Sequence, residues 1–420
     1  MSMTITEKIL AAHAGCDRVR PGDLIQIRVD QTFMDDLGGP ITIRVLEQYG
    51  VSRVFDPERV FVTAMVNTPA KSVAVANIVR EMGAFCRRMG IRRFYEGGNA
   101  GIHNAVAIEE GLVLPGEVLV GGNSHACTGG GVGAFATGMG STDIAAILAT
   151  GWTWLRVPAT IRLVYRGAPS QWVTGKDLML AAIGRIGVDG ALGRALEFTG
   201  DAMAALSVEE RFALPNMAVE AGALTGTIQP DQQTLEYITP RATRAFTPIY
   251  GDQNAEYAEV HEINAAALEP IVAVPHTPSN TKPLSDVGKI RIDQVYIGSC
   301  TNGWLTDMRA AAQILHGRKV AAGVRLIVIP STSEVYRQCL REGIAEIVVE
   351  AGGVFSPSTC GPCIGAHMGV LGDGERCVAT SNRNFVGRQG SLKSETYLAN
   401  PWVAAASAVL GRIGSPDELE

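Results

Sequence analysis

Short apolar runs alternate with stretches of helical spacing over the first part of the chain. Val60–Val66, Glu117–Gly121 and Thr160–Tyr165 read as strands, and Ala74–Met89 and Thr142–Thr153 as helices. Such alternation predicts a parallel sheet with crossover helices, an α/β fold. The rhythm changes over residues 170–280. Lys176–Gly187 and Val208–Leu224 have helical spacing, and Glu269–Asp286, rich in Pro, Thr, Ser and Asn, reads as a linker. Strand character returns afterwards, in Ile292–Cys300, Val324–Ser331, Glu346–Cys360 and Glu375–Phe385, with Thr332–Gly343 as a helix between. We expect three α/β subdomains, over residues 1–165, 166–285 and 286–420. Polar, Gly-rich segments follow the strand ends, where open α/β sheets place ligands.

Composition narrows the classes. A chain of 420 residues at roughly 150 per domain suggests two or three domains. The net charge of -6 argues against non-specific nucleic-acid binding, which needs a basic face. No apolar run reaches the roughly 18 residues of a membrane span, and the N-terminal residues do not read as an export signal. The expected location is the cytosol. There the eight cysteines are not a disulfide framework, and most should be small buried hydrophobes.

Three of them invite another reading. Cys360-Gly-Pro-Cys363 is ambiguous by itself, since a redox pair has the same form. Cys300 ends a strand-like run in Gly298-Ser-Cys-Thr-Asn302, and two strand-end loops of one sheet can bring three thiolates together. Soft thiolates suit an iron–sulfur cluster, and three ligands instead of four leave one iron open as a Lewis acid. Zinc with His367 as a fourth ligand, a redox pair and plain core cysteines remain alternatives at this point. The Gly131-x-Gly133-x-x-Ala136 run fits a dinucleotide loop, but no acidic residue follows about 20 positions later to hold a ribose.

Longer motifs carry more information. Ile297-Gly-Ser-Cys-Thr-Asn302, then Cys360-Gly-Pro-Cys363, then Thr380-Ser-Asn-Arg-Asn-Phe-Val-Gly-Arg-Gln-Gly390 resemble the aconitase superfamily in order and rough spacing. The Gly-rich run from Asn123 to Asp143 looks like that superfamily's Asp-Ser-His-Thr stretch. The likeness covers roughly residues 22 to 412 and is greatest to the large subunits of its two-chain dehydratases. It implies an aconitase-like fold of three α/β subdomains around a cleft. It also implies a [4Fe-4S] cluster on Cys300, Cys360 and Cys363, with Asn382, Arg383 and Arg388 binding the cluster region and substrate carboxylates. Asn216 and Glu220 match the family's Asn and Glu, and their spacing on a helix would put both on one face. His103 matches a family histidine, with one residue missing before it, and Ser124 and His125 match the Ser-His pair.

The departures concern catalysis. Where relatives carry an Asp-His pair before a proline, this chain has Ala64–Val66. The Asp before Ser-His is Asn123, and Met34-Asp35-Asp36 puts a carboxylate where relatives have Gln or His. An altered proton inventory follows, with Asp35, His103 or His125 as substitute acids; the bland reading of Asp35 is a helix cap. Single-chain relatives continue with a mobile fourth domain, so the resemblance implies a separate small subunit that carries this domain. The expected activity is dehydration–hydration of a small hydroxy-carboxylic acid. A specialised enzyme running a different cluster-dependent reaction and a non-catalytic iron sensor are the alternatives.

Overall fold

A computed structural model describes residues 2–419. Its sheets are mainly parallel, as the alternating pattern predicts. A five-stranded sheet has the spatial order Arg93–Tyr95, Val60–Thr63, Gln31–Asp35, Val118–Gly121, Phe135–Gly138, with every pair parallel. A four-stranded parallel sheet runs Thr225–Ile228, Ala195–Thr199, Thr160–Arg166, Glu259–Asn264. A seven-stranded sheet has Gln294–Ile297 flanked by Arg325–Val328 and Arg376–Ala379, all parallel. Leu24–Arg28 and Trp152–Arg156 form a separate antiparallel pair. Both faces of the parallel strands are covered, so their residues are buried throughout Val60–Thr63, Val118–Gly121 and Gln294–Ile297. Among the described residues no helix is long and apolar enough to cross a membrane.

Several expected elements are corrected. The strand from Val60 stops at Thr63, because the next N–H groups turn to another partner, described below. The helix expected to reach Thr153 spans Ser141–Thr150 and ends at Gly151, whose left-handed backbone caps it. Glu269–Asp286 is no linker: Ile271–Ala273 and Thr281–Pro283 pair antiparallel at the edge of the seven-stranded sheet, and the Ile271–Ala273 side chains are buried. Glu346–Cys360 is not one strand. Ile344–Glu350 is a helix with Ile344 and Val348 on its buried face, and only Val354–Phe355 is strand. A four-residue apolar spacing, not alternation, governs there.

The carboxyl ends of the five- and seven-stranded sheets face one another across the site. Backbone bonds join them: Ile102 N–H donates to Ser331 O at 2.8 Å, Ser333 N–H to Ala100 O at 3.1 Å, and Cys360 N–H to Met65 O at 3.1 Å. The Gly-rich run is a buried 3-10 helix, Ser124–Val132, wedged between the five- and four-stranded sheets. Its glycines serve close packing: a Cβ on Gly130 would lie 1.7 Å from Gly226 O, and one on Gly131 2.4 Å from Phe212 Cδ1. That accounts for the pattern without a nucleotide.

Candidate functional site

The loop bearing Cys300 is held in an unusual backbone. Gly298 has φ 155° and Ser299 φ 78°, the left-handed region that a non-glycine residue rarely adopts. Thr380, at the end of the neighbouring strand, clamps the turn. Its hydroxyl accepts from Gly298 N–H at 2.9 Å and donates to Gly298 O at 3.0 Å. Tyr296 Oη donates to Cys360 O at 3.1 Å, and Cys363 N–H to Cys360 O at 3.2 Å. Cys300 and Cys363 are buried and Cys360 is half-buried.

The three thiols are within electrostatic reach of each other. Burial pushes the Cys300 thiol up and Cys363 pushes it further; burial, then Cys363 and Cys300, do the same to Cys360. Cys300 and Cys360 resist ionisation alone, and with Cys363 beside them they form a donor set that a soft cationic group would ionise. Polar atoms around them lack partners: both amide atoms of Asn104, Asn382 Oδ1 and both ring nitrogens of His103. Asn382 Nδ2 does reach Cys300 Sγ, at 3.3 Å. Among the described residues no three His, Cys, Asp or Glu side chains converge on a single ion. A cubane takes each thiolate on a different iron, so its ligands need no common point. The residues present therefore fit such a cluster, and mononuclear zinc finds no such cage.

A closed polar ring lies beside the thiols. His125 Nε2 and Glu220 Oε1 are 2.7 Å apart. Arg383 Nε donates to both Glu220 oxygens, at 2.8 and 2.9 Å, and its Nη2 to Ser124 Oγ at 3.2 Å. Ser124 Oγ is 3.3 Å from His125 Nδ1. Burial works to raise Glu220, but His125 and Arg383 outweigh it and hold the carboxyl below its usual value. Burial pushes His125 below the usual imidazole value, against the pull of Glu220. The pattern assigns a neutral His125 with its proton on Nε2, donating to a charged Glu220.

Across the site, the Asp35 carboxyl is buried. It accepts from Leu37 and Gly38 N–H, each at 3.0 Å, and from Asn123 Nδ2 at 3.3 Å. Burial nevertheless raises it above the usual carboxylate value. His103 stacks on Phe33 with ring centroids 4.6 Å apart, and its Nδ1 is 3.9 Å from Asp35 Oδ2. Burial pushes His103 down to about 3, so it is neutral at pH 7. Asp36 has a different task. Its carboxylate accepts from Met65, Val66 and Asn67 N–H at 3.0, 2.9 and 3.2 Å, which pulls the segment after the strand out of the sheet. Met65 and Val66 pack with Ile102 and Cys300 into an apolar wall.

The structure thus brings every sequence-proposed residue to one region, with corrections of detail. Asn216 and Glu220 do not share a helix face. Ala213–Asn216 is a short helix, and Ala218–Ala221 is a 3-10 turn beyond it. The helix caps at Met217 and a 3-10 turn follows, so the two side chains diverge. Asn216 Nδ2 donates to Thr128 Oγ1 and its Oδ1 accepts from Thr301 Oγ1, whereas Glu220 joins the polar ring. Arg388 Nε donates to Cys363 O at 3.0 Å and so braces the cysteine loop. Asp35 caps the turn ahead of the helix Gly39–Gln48, whose N-cap position is Gly38.

The family model of the Aconitase family (aconitate hydratase) matches residues 7–411. The chain belongs to the aconitase family. Relatives named "3-isopropylmalate dehydratase large subunit" include one from Acetivibrio thermocellus, 51% identical over the full length of both chains. A Pyrococcus furiosus relative, its large subunit 1, is 52% identical over 99% of each, and one from Aquifex aeolicus 51% identical over 100% of this chain and 98% of that one. The crystal structure of Thermococcus kodakaraensis aconitase X in its holo-form aligns with TM-score 0.50 at 15% identity, over 91% of this chain and 94% of that one, a likeness of fold. Around this candidate site, Asn104, Thr301, Thr380 and Lys176 escaped the sequence reading. Asn104 adjoins His103, Thr301 adjoins Cys300 and Thr380 opens the Thr-Ser-Asn-Arg-Asn run, signals that could have been used; Lys176 stands in none of these motifs.

Proposed function

We propose that this chain is the cluster-bearing subunit of a [4Fe-4S]-dependent hydro-lyase acting on a small hydroxy-carboxylic acid. The observation that carries the reading is the convergence of Cys300, Cys360 and Cys363 with the Ser124–His125–Glu220–Arg383 ring at facing sheet ends. A cubane held by Cys300, Cys360 and Cys363 supplies, when bound, a Lewis acid for a substrate hydroxyl and carboxylate. Arg383 and Arg388 bind carboxylate, for which the guanidinium fork is suited. Arg383 is itself oriented by Glu220 and Ser124. Burial raises the Asp35 carboxyl above its usual value, the direction a general acid needs, whereas His103, neutral at pH 7, can orient or polarise a substrate group but has no imidazolium proton to give. Asn123, Asn216 and Asn382 orient neighbouring groups through their amides.

The relatives' name supports a separate small subunit as partner and a 3-isopropylmalate-like diacid as substrate. In this reading the enzyme works in the cytosol, where thiols stay reduced. Three subdomains remain our division of the chain, but by sheet membership Thr160–Arg166 goes with the second and Ile271–Ala273 and Thr281–Pro283 with the third, so the limits fall before residues 160 and 271, not near 165 and 285. A second reading is a related enzyme of specialised metabolism with another substrate. The apolar Met65–Val66 wall and the buried Asp35 carboxyl favour it.

The test is anaerobic expression with a small-subunit partner, followed by iron and sulfide analysis and a hydroxy-acid panel. We expect about four irons and four sulfides per chain, lost when Cys300, Cys360 or Cys363 is changed to Ser and kept in Cys16→Ser. Turnover of 3-isopropylmalate supports the first reading, and turnover of another hydroxy acid the second. A cluster-loaded complex that hydrates or dehydrates no panel member overturns both.

A further inference from the structure

Lys176 lies in the helix Gly175–Ile186 with no solvent exposure. A lysine is almost never fully buried unless it is paired. Its Nζ donates to Thr380 O at 2.8 Å and Ser381 O at 2.6 Å. Those carbonyls belong to the turn that carries Asn382, against Cys300, and Arg383, against Glu220. Among the described residues no carboxylate forms an ion pair with Lys176.

Asp177, Asp307, Cys363 and Cys300 lie within its electrostatic reach. Neither acid is free to serve. The Asp177 carboxylate is taken by Thr174 and Ile271 N–H and by Asn400 Nδ2, and burial raises it. Asp307 is taken by Asn302 Nδ2 and Trp304 N–H, and burial pushes it up to about 8. Burial pushes Lys176 itself down to about 7. A buried ammonium bonded only to carbonyls is costly unless a negative charge arrives nearby. Cys300 and Cys363, within its electrostatic reach, are cysteines that thiolate ligation would make negative.

We propose that Lys176 is a positioning residue for the cluster, resting on the cluster reading above: its charge offsets the negative charge of the thiolate-bound group, and its two hydrogen bonds fix the turn bearing Asn382 and Arg383. A positive charge at that place favours the more negative, reduced form of the group. Its removal favours the oxidised form.

The experiment is an anaerobic one-electron titration of the reconstituted full chain with dithionite as reductant, followed by electron paramagnetic resonance. The variants are Lys176→Met, Lys176→Gln, which keeps an amide donor, and Lys176→Arg, which keeps the charge. At a fixed potential, we expect the ratio of reduced to oxidised cluster to fall at least tenfold in both neutral variants, a shift of about 59 mV for one electron. In Lys176→Arg it should stay within about threefold of the parent. Cluster loss in both neutral variants with retention in Lys176→Arg supports the proposal equally, and the glutamine variant covers a methionine variant that fails to fold. Parent-like ratios in the neutral variants overturn it, as does an equal fall in Lys176→Arg. A parent chain that takes up no iron and sulfide overturns the cluster reading itself, a result distinct from either.

Discussion

Replacing Asp35 by Asn removes the charge from a buried carboxyl while leaving an oxygen to accept from Leu37 and Gly38. Because burial raises its pKa, the ionised form costs stability. That cost is absent below the unfolded value of 3.8 and grows as pH rises through the folded value. Asp35→Asn should therefore melt at the same or a higher temperature at neutral pH. If Asp35 is the acid, turnover falls ~10²–10⁴-fold, about 3–5 kcal/mol, at unchanged iron content. Unchanged kinetics of the fully loaded variant would make it a turn cap and no more. His103 is the mirror case. Its folded value of about 3 lies below the unfolded 6.5, so its stabilising effect is full above pH 6.5 and is lost as pH falls towards 3. His103→Gln should flatten that part of the melting temperature–pH curve, a term on the order of a few kcal/mol. A slope identical to the parent's would exclude His103 as its source.

The elements that were legible in the sequence are those with one clean period. Thr160–Arg166 and Val73–Met89 appear where apolar spacing puts them. The cysteine loops were legible because ligand chemistry fixes residue type at short spacing. What was not legible depends on partners far along the chain. Asp36 draws Met65–Asn67 out of a strand that the local apolar run would extend, and a cap at Met217 with a 3-10 turn after it splits a run whose spacing alone reads as one helix. Ser124–Val132 is invisible as an element, since glycines carry no period; its packing against Thr225–Ile228 explains them. Gly130→Ala tests this. Its Cβ would meet the Gly226 carbonyl at 1.7 Å, backbone against backbone, so neighbouring strands must shift. We expect a loss of roughly 3 kcal/mol or more, or insoluble protein. Gly98→Ala, with nothing within 4 Å of the new Cβ, should stay within about 1 kcal/mol of the parent. Equal melting temperatures for the two variants would contradict the packing account.

At the scale of the molecule, the site belongs to no single sheet. Asp35 ends a strand of the five-stranded sheet and His103 and His125 follow others, whereas Cys300, Cys360 and Arg383 follow strands of the seven-stranded one. Asn216 and Glu220 come from the segment leading into Thr225–Ile228 of the four-stranded sheet. Lys176, from a helix packed against Ile271–Ala273, reaches in from behind. Parts so arranged are held by few direct bonds, such as Cys360 N–H to Met65 O and Asn382 Nδ2 to Cys300 Sγ. A ligand that binds only the folded arrangement stabilises it by mass action and does so most where it touches. On the proposed cluster reading, removing iron and sulfide anaerobically with a chelator should speed amide hydrogen exchange at residues 298–303, 359–365 and 380–389. The loop at 64–67, tied to Cys360 and Thr359 through Met65 O, should follow. The antiparallel pair Leu24–Arg28 and Trp152–Arg156, remote from these contacts, should exchange as before. Faster exchange spread evenly over the chain would mean that the cluster supports the fold as a whole. No change at the cysteine loops would mean that they are already rigid without it, and the orphaned amides of Asn104 and Asn382 would then need another partner.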